Sequence, residues 1–377
     1  MKEPLVHLLG NFQGMSGYSQ HTIHFQRALA QQCRCLATDP NWPAQQNAET
    51  LRQLQEASQR GESVVNIALF SLDHAHLLAP FPGWKIGFAV WESTVVEESW
   101  MQASRTLDGV WTATQWNRQV FIHNGMEPAK VQVVPEGVDP DLFSPAGDLF
   151  SQLQQDNRYK FLIVGKFEER KKTAAMIRAF DDVFHGQQDV MLLLLCHNHF
   201  VPNFNINKEL QKLSLKNKNN IAAGAWVPTS DILAKIYRSC NVFLAASRAE
   251  GWGLPICEAM ACGLPTIVTH YSGPTEFVHG DNALLLDYTL TPIPANHFVR
   301  AKDPGVWAEP DMAQFGRLLR WCYEHQEQAK QIGLQAAREI RQEWSWQQAA
   351  KKALTLIGRH YGQPPTSDSC RPPWGSP

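Results

Sequence analysis

The chain has 377 residues, more than a single hydrophobic core ordinarily serves, so two domains are expected. Hydrophobic residues make up 44% and charged residues 19%, an ordinary soluble globular composition, and a formal net charge of −2 argues against a general nucleic-acid binder. No apolar run reaches the ~18 residues that cross a bilayer, the amino terminus lacks signal-peptide architecture, and the eight cysteines include no CxxC pair, so reduced thiols in a cytoplasm are expected.

In chain order, the first 150 residues alternate short apolar runs with polar, helix-compatible stretches. Leu5–Leu9, Val64–Phe70, Ile86–Val90, Val110–Thr114 and Val131–Val134 read as buried parallel strands. Tyr18–Gln31 and Ala48–Arg60 read as helices between them. GMSGYS, Gly14–Ser19, is a loose glycine-rich turn after the first strand. It lacks the full GxGxxG spacing, and Asp39 is the only acidic candidate roughly twenty residues on, so a nicotinamide fingerprint is poorly supported. The proline- and glycine-rich stretch Val133–Asp148 reads as an interdomain linker.

The alternation then restarts. Phe161–Val164, Val190–Leu195, Val242–Ala246, Thr266–Thr269 and Ala283–Leu286 read as strands, and Thr173–Phe184, Ser230–Arg238 and Pro255–Cys262 as helices. From Pro310 onward the pattern is helical, closing in the amphipathic stretch EWSWQQAAKKALTLIGRH. The last residues, 363–377, are expected to be disordered. Two doubly wound domains follow, residues 1–145 and 146–345, with a ligand expected between them at the carboxyl ends of the strands. Residues 1–150 hold 9 Lys+Arg against 15 Asp+Glu, leaving 25 against 21 for the rest, so the second part is the better place for an anionic ligand.

Two segments carry the chemistry. SRAEGWGLPICEAMACGLP, Ser247–Pro265, follows a strand and gives a glycine-rich turn, a proline at an expected helix start and a carboxylate in the opening turn. Gly251 and Gly253 let backbone amides approach a ligand, and a helix amino terminus with free N–H groups suits a diphosphate. Glu250 and Glu258 would repel that diphosphate unless each accepts from hydroxyls beside it. Helix capping by Glu258 stays open as the plainer reading. GKFEERKKT, Gly165–Thr173, crowds Lys166, Arg170, Lys171 and Lys172 into one strand-to-helix turn. A solvated basic helix start is possible there, but cations at a helix amino terminus oppose the dipole, which favours a bound anion.

Taken together these segments resemble glycosyltransferase family four, the large retaining family of GT-B fold. PEGVDPDLFSP resembles its interdomain crossing, GKFEERKK its phosphate loop, EGWGLPICE its E-x7-E element, and SGPTEFVHGDNALLL, WAEPD and EWSW further parts of it. The resemblance covers nearly the whole chain. It implies two Rossmann-like domains across a cleft, with the last helix, about 346–362, crossing back to the first. It implies that Glu258 binds the donor ribose and Glu250 the donor sugar, with Lys166 and Lys171, beside Arg170, on the diphosphate. Trp252 and Leu254 lie in the same donor turn as Gly251 and Gly253. Gly14, Ser16, Gly17 and Tyr18 would close over the phosphates. Where relatives often have Lys-Gly, this chain has Lys171-Lys172, so Lys172 is a possible substitute. Where many relatives place a histidine after an early strand, this chain has Trp91-Glu92-Ser93, which makes Glu92 a candidate for sugar or acceptor contact.

His197 and Asn198 follow a strand end and are placed to approach the donor. Trp226, with Val227, lies near the expected nucleotide base, with core packing as the alternative. Asp139-Pro-Asp141 is a DxD sequence, but it lies in the linker and lysines already serve the phosphates; His74/His76 and His197/His199 have no carboxylate or cysteine at a ligand spacing, so no metal or cofactor is expected. The expected activity is transfer from a nucleotide sugar, a UDP- or GDP-sugar foremost, to a carbohydrate or glycoconjugate hydroxyl. Retention, metal independence and a role in polysaccharide or glycoconjugate synthesis are expected with it. A phosphorylase or epimerase of the same fold, or a non-catalytic nucleotide-sugar binder, remains as an alternative.

Overall fold

The computed structural model describes residues 4–14, 16–224, 229–295, 297 and 303–363. The chain divides into two compact units. The first comprises residues 1–90, 96–136 and 346–377, and the second Trp91–Val95 and Gly137–Ser345.

The first unit contains β1 (Leu5–Gly10), α1 (Gly17–Ala30), β2 (Cys35–Thr38), α2 (Ala44–Gln59), β3 (Val64–Leu69), β4 (Trp84–Phe88), α3 (Glu98–Arg105), β5 (Gly109–Thr112), α4 (Gln115–His123) and β6 (Val131–Val133). Its six strands are parallel, in the order β2-β1-β3-β4-β5-β6. β1 and β3 are buried along their whole length, which is why their sequences are apolar but for His7 and Asn66, which pair with each other at 2.9 Å, rather than alternating. Edge strand β2 is mostly half-buried and left too weak a pattern to be read beforehand.

The second unit contains α5 (Ser151–Gln154), β7 (Tyr159–Lys166), α6 (Thr173–Phe184), β8 (Val190–His197), α7 (Ile206–Gln211), β9 (Ile221–Ala223), α8 (Ser230–Arg238), β10 (Val242–Ala245), α9 (Leu254–Ala261), β11 (Thr266–Thr269), β12 (Leu284–Leu286), β13 (Tyr288–Pro292), β14 (Val306–Pro310), α10 (Met312–Glu324) and α11 (Gln326–Glu343). Its parallel sheet runs β12-β11-β10-β7-β8-β9. Phe180 and Phe184 of α6 and Phe315 and Leu319 of α10 cover the buried Phe161, Leu192, Leu194 and Leu244 of the sheet. Each such side chain contributes roughly 1.5–3 kcal/mol by leaving water. The antiparallel pair β13–β14 was not foreseen.

The last helix, α12 (Trp346–His360), belongs to the first unit and packs on α1, as the resemblance implied. Trp346 meets the rings of His21 and His24 with centroids 5.2 and 5.8 Å apart. The expected division after residue 145 moves forward to Glu136/Gly137. The reason is local: Phe143 packs edge-on against Tyr237, and Arg238 donates to the carbonyls of Leu142, Ser144 and Asp148. The expected disordered tail lies outside the described residues, apart from residue 363.

Candidate functional site

The strand order of the second sheet reverses between β7 and β10, which are hydrogen-bonded neighbours although β8, β9 and the helices α6 to α8 separate them in sequence. In doubly wound sheets ligands bind outside the carboxyl ends of the strands at such a switch point. The turn after β7 carries Lys166–Lys172, and the turn after β10 carries Ser247–Gly253, so the two segments singled out in the sequence flank this point. The Arg248 N–H donates to the Arg170 carbonyl at 2.7 Å and ties the turns together. A small cleft of about 20 Å³, lined by Lys166, Lys171, Thr173, Ser247, Glu250 and Ile256, forms the floor between them.

Glu250 is buried, at 6% exposure. Its Oε1 accepts from Lys171 Nζ at 2.5 Å and its Oε2 from Arg170 Nη1 at 3.2 Å. Burial pushes its carboxyl up, but the Lys171 and Arg170 charges outweigh that and bring it down to about 2. Arg170 is itself buried and also meets Glu168 at 2.7 Å and Glu92 at 3.6 Å. Burial works against its charge, and the carboxylates of Glu92, Glu250 and Glu168 more than restore it. Lys166 lies 3.6 Å from Glu168 and 5.0 Å above the exposed Phe200 ring, and burial lowers its ammonium. The basic turn is therefore not bare: the fold neutralises it with its own carboxylates.

Lys171 and Lys172 pair with different carboxylates. Lys172 caps α6 in the left-handed region, φ +54°, the conformation that suits the glycine common at this place in the family it resembles. Its Nζ turns to Glu309 on β14 at 2.7 Å, while Lys171 faces Glu250. Arg248 joins the same Glu309 at 2.7 Å and covers the Trp307 ring at 4.6 Å.

Glu258 sits in the second turn of α9, because the helix starts at Leu254 and has no acidic residue in its first turn. The capping reading is thereby corrected: a carboxylate this far along gains little from the dipole. Tyr237 Oη donates to Glu258 Oε2 at 3.1 Å. Burial pushes the Glu258 carboxyl up to about 8, only partly opposed by that hydrogen bond. A group raised in the folded state gives stability that is full below its unfolded pKa, 4.5, and is lost as pH rises through about 8. Glu258→Gln, which has no proton to lose, is therefore expected to gain stability over the native protein as pH rises through this window. Each step of one in pH over which the folded carboxyl keeps a proton that the unfolded one has lost is worth ~1.4 kcal/mol, so the gain reaches a few kcal/mol near pH 8. Urea midpoints near pH 5 and pH 8 check this, and an identical difference at both would refute it.

Other expected site residues fall differently. Trp252 is 2% exposed and packed against Phe277 and Trp344, with centroids 4.8 and 5.4 Å apart, so its ring serves the core rather than the ligand face. Asn198 is also buried and shapes its own loop, donating to the Phe167 carbonyl and accepting from the Phe200 N–H. His197 ends β8 half-buried, its ring near His199 and Phe204. Gly251 and Gly253 line the turn and Leu254 opens α9, Gly253 acting as its cap. Trp226 and Val227 lie outside the described residues. In the first unit, exposed Gly14, half-buried Ser16 and exposed Gly17 lead into α1. Ser16 caps the helix by accepting from the Ser19 N–H at 3.1 Å. Tyr18 Oη reaches the Val90 carbonyl at 3.4 Å. Asp39 is spent on the N–H groups of Phe12 and Asn41, a structural task.

Sequence reading missed Ser272. Its Oγ accepts the Glu250 N–H at 2.9 Å, and its backbone is held at φ +60°, ψ −138°, a strained conformation for a residue with a side chain. The following Gly273 donates to the Glu250 carbonyl at 2.9 Å, and a Cβ there would come within 2.5 Å of the Gly251 carbonyl. The SGPTE segment was the available signal.

A larger cavity of about 430 Å³ opens at the opposite, amino ends of the strands, lined by Arg158, Lys160, Asp189, Arg238 and Asn241. Its charges are spent on backbone carbonyls, on one another and, for Asp189, on the Tyr323 hydroxyl, so the smaller cleft remains the candidate. Among the described residues no group of three or more His, Cys, Asp or Glu is placed to hold a metal, and no helix is long and apolar enough to cross a membrane.

Comparison with known proteins bears on the family region and the fold. Residues 148–289 match the family model "Glycosyl transferases group 1". D-inositol 3-phosphate glycosyltransferase of Acidothermus cellulolyticus is 27% identical over 65% of this chain and 54% of its own, so the chain spans about half the length of that relative. Among solved structures, Anabaena HepE in complex with UDP-glucose superposes with a TM-score of 0.70 at 17% identity, over 94% of this chain and 99% of its own. A glycosyltransferase from Rickettsia africae superposes with a TM-score of 0.69 at 15% identity, over 96% of this chain and 99% of its own. Residues 148–289 are thus similar to a glycosyl transferases group 1 domain, and the two Rossmann-like units match the fold of these GT-B neighbours.

Proposed function

We propose that this protein transfers a glycosyl group from a nucleotide-diphosphate sugar to an acceptor hydroxyl, with retention of configuration and without an essential metal. The observation that carries the reading is Glu250: a buried carboxylate held ionised by Lys171 and Arg170 at the switch point of the sheet. In this reading the incoming diphosphate takes over Lys171 and Lys166, beside the amino terminus of α9. Glu250 is then released toward the sugar, where positive charge develops as the bond to the leaving phosphate breaks. The acceptor oxygen attacks on the face the phosphate leaves, and its proton passes to the departing diphosphate. Glu258, paired with Tyr237, takes the ribose diol. A UDP- or GDP-sugar is the proposed donor and a carbohydrate or glycoconjugate hydroxyl the acceptor, in polysaccharide or glycoconjugate synthesis. The UDP-glucose of the HepE complex is consistent with the donor choice.

Thermal-shift titration with UDP, GDP and ADP and their sugars tests the donor, since a ligand of the native state raises its stability. A rise with one nucleotide series, together with slow hydrolysis of the corresponding sugar, is the expected result. Phosphate-dependent release would instead indicate a phosphorylase. Binding with no turnover in any acceptor screen would leave a non-catalytic binder. Turnover is expected to persist in EDTA, because fixed cations supply the charge; loss in EDTA with recovery on adding Mg²⁺ or Mn²⁺ would overturn metal independence.

A further inference from the structure

Trp91–Val95 lies in sequence between β4 and α3 of the first unit, yet it packs with the second. The chain following β13 and β14 itself hold it there. Fully buried Ser93 donates from Oγ to the Pro304 carbonyl at 2.6 Å and accepts the Val95 N–H at 3.1 Å. The Val306 N–H donates to Thr94 Oγ1 at 2.9 Å. Between them Gly305, at φ +84°, comes so close that a Cβ would lie 2.6 Å from Thr94 Oγ1 and 2.8 Å from Ser93 Oγ. Both the positive φ and the close approach require glycine. Trp91 closes the segment on itself, its Nε1 donating to the Val95 carbonyl at 2.8 Å.

The same hairpin is fastened to the donor turns. The Ala308 N–H donates to the Arg248 carbonyl at 3.0 Å, and Glu309 takes both Lys172 and Arg248. Glu92, the residue this segment presents, stands 3.6 Å from Arg170 with its side chain 29% exposed. It is therefore a charged group anchored beside Arg170 while keeping an open side.

We infer that the β13–β14 hairpin is a clasp that holds Glu92 in the carboxylate cluster around Arg170, with Ser93, Thr94 and Gly305 as positioning residues for the sugar-transfer site. This rests on the donor-site reading above. Glu92 belongs to the donor-side unit by its contacts, although its place in the chain assigns it to the other.

A double-mutant cycle tests the clasp, because residues that act as one unit give non-additive losses. Ser93→Ala and Thr94→Val are made in the native background and in Glu92→Gln. Each is expected to lower kcat for the nucleotide sugar about threefold to tenfold in the native background. In the Glu92→Gln background they should add no further loss, and nucleoside-diphosphate affinity should hold throughout. Hydrogen exchange of residues 91–95 should quicken in every clasp variant. Equal kcat losses in both backgrounds, or unchanged exchange of 91–95, would overturn the inference. Gly305→Ala is the stronger variant, and if it does not fold the milder two carry the test. If the native protein turns over no nucleotide sugar the transfer reading falls, while the exchange measurement still decides the clasp.

Discussion

Glu250→Ala is expected to lower turnover by roughly a hundredfold to a thousandfold, the usual loss when a preorganised group that stabilises transition-state charge is removed. Binding of the bare nucleoside diphosphate should hold or tighten. In the native protein Lys171 and Arg170 both pair with this carboxylate, and a diphosphate must compete with it for Lys171. Removing Glu250 releases Lys171 for the phosphates, while Arg170 keeps Glu168 and Glu92. The same freeing costs stability: breaking a buried pair by deleting one partner typically costs ~3–5 kcal/mol. Glu250→Gln keeps the shape and is the variant for kinetics if the alanine form unfolds. Steady-state kinetics, calorimetric titration with the nucleoside diphosphate and circular dichroism together check this. Normal turnover in a correctly folded Glu250→Gln protein would reduce Glu250 to a residue that shapes its loop.

Lys171→Ala is expected to weaken nucleoside-diphosphate binding roughly tenfold to a hundredfold, the worth of a charge-assisted hydrogen bond at ~1.5–3 kcal/mol, and to leave nucleoside binding nearly unchanged. Lys172→Ala provides the contrast. Its ammonium is committed to Glu309, so its loss should change diphosphate affinity little. Equal losses for nucleoside and diphosphate in Lys171→Ala would sink the phosphate assignment, and so would a Lys172→Ala effect as large as that of Lys171→Ala.

Much of the fold was legible because its signals are local. Buried parallel strands such as β8 need both faces covered, so they are written as long apolar runs. The short, half-exposed β2 and β9 carry no such run and went unread. The β13–β14 hairpin went unread too; β13 is mostly exposed and has little apolar pattern to show.

By itself, the sequence determined that two doubly wound sheets form and that a glycine-rich turn with two glutamates and a lysine-rich turn each follow a strand. Spacing and periodicity act over a few residues, and these features are made at that range. Only the tertiary structure decided how the charges pair. Lys171 meets Glu250 across 79 positions and Lys172 meets Glu309 across 137, so adjacent lysines of the same chemistry receive different tasks. It also decided that Glu92 joins the second unit and that Glu258 loses its acidity in a buried setting. Ion pairing and desolvation depend on distance in space and on what else surrounds a group, and no local pattern in the chain encodes either.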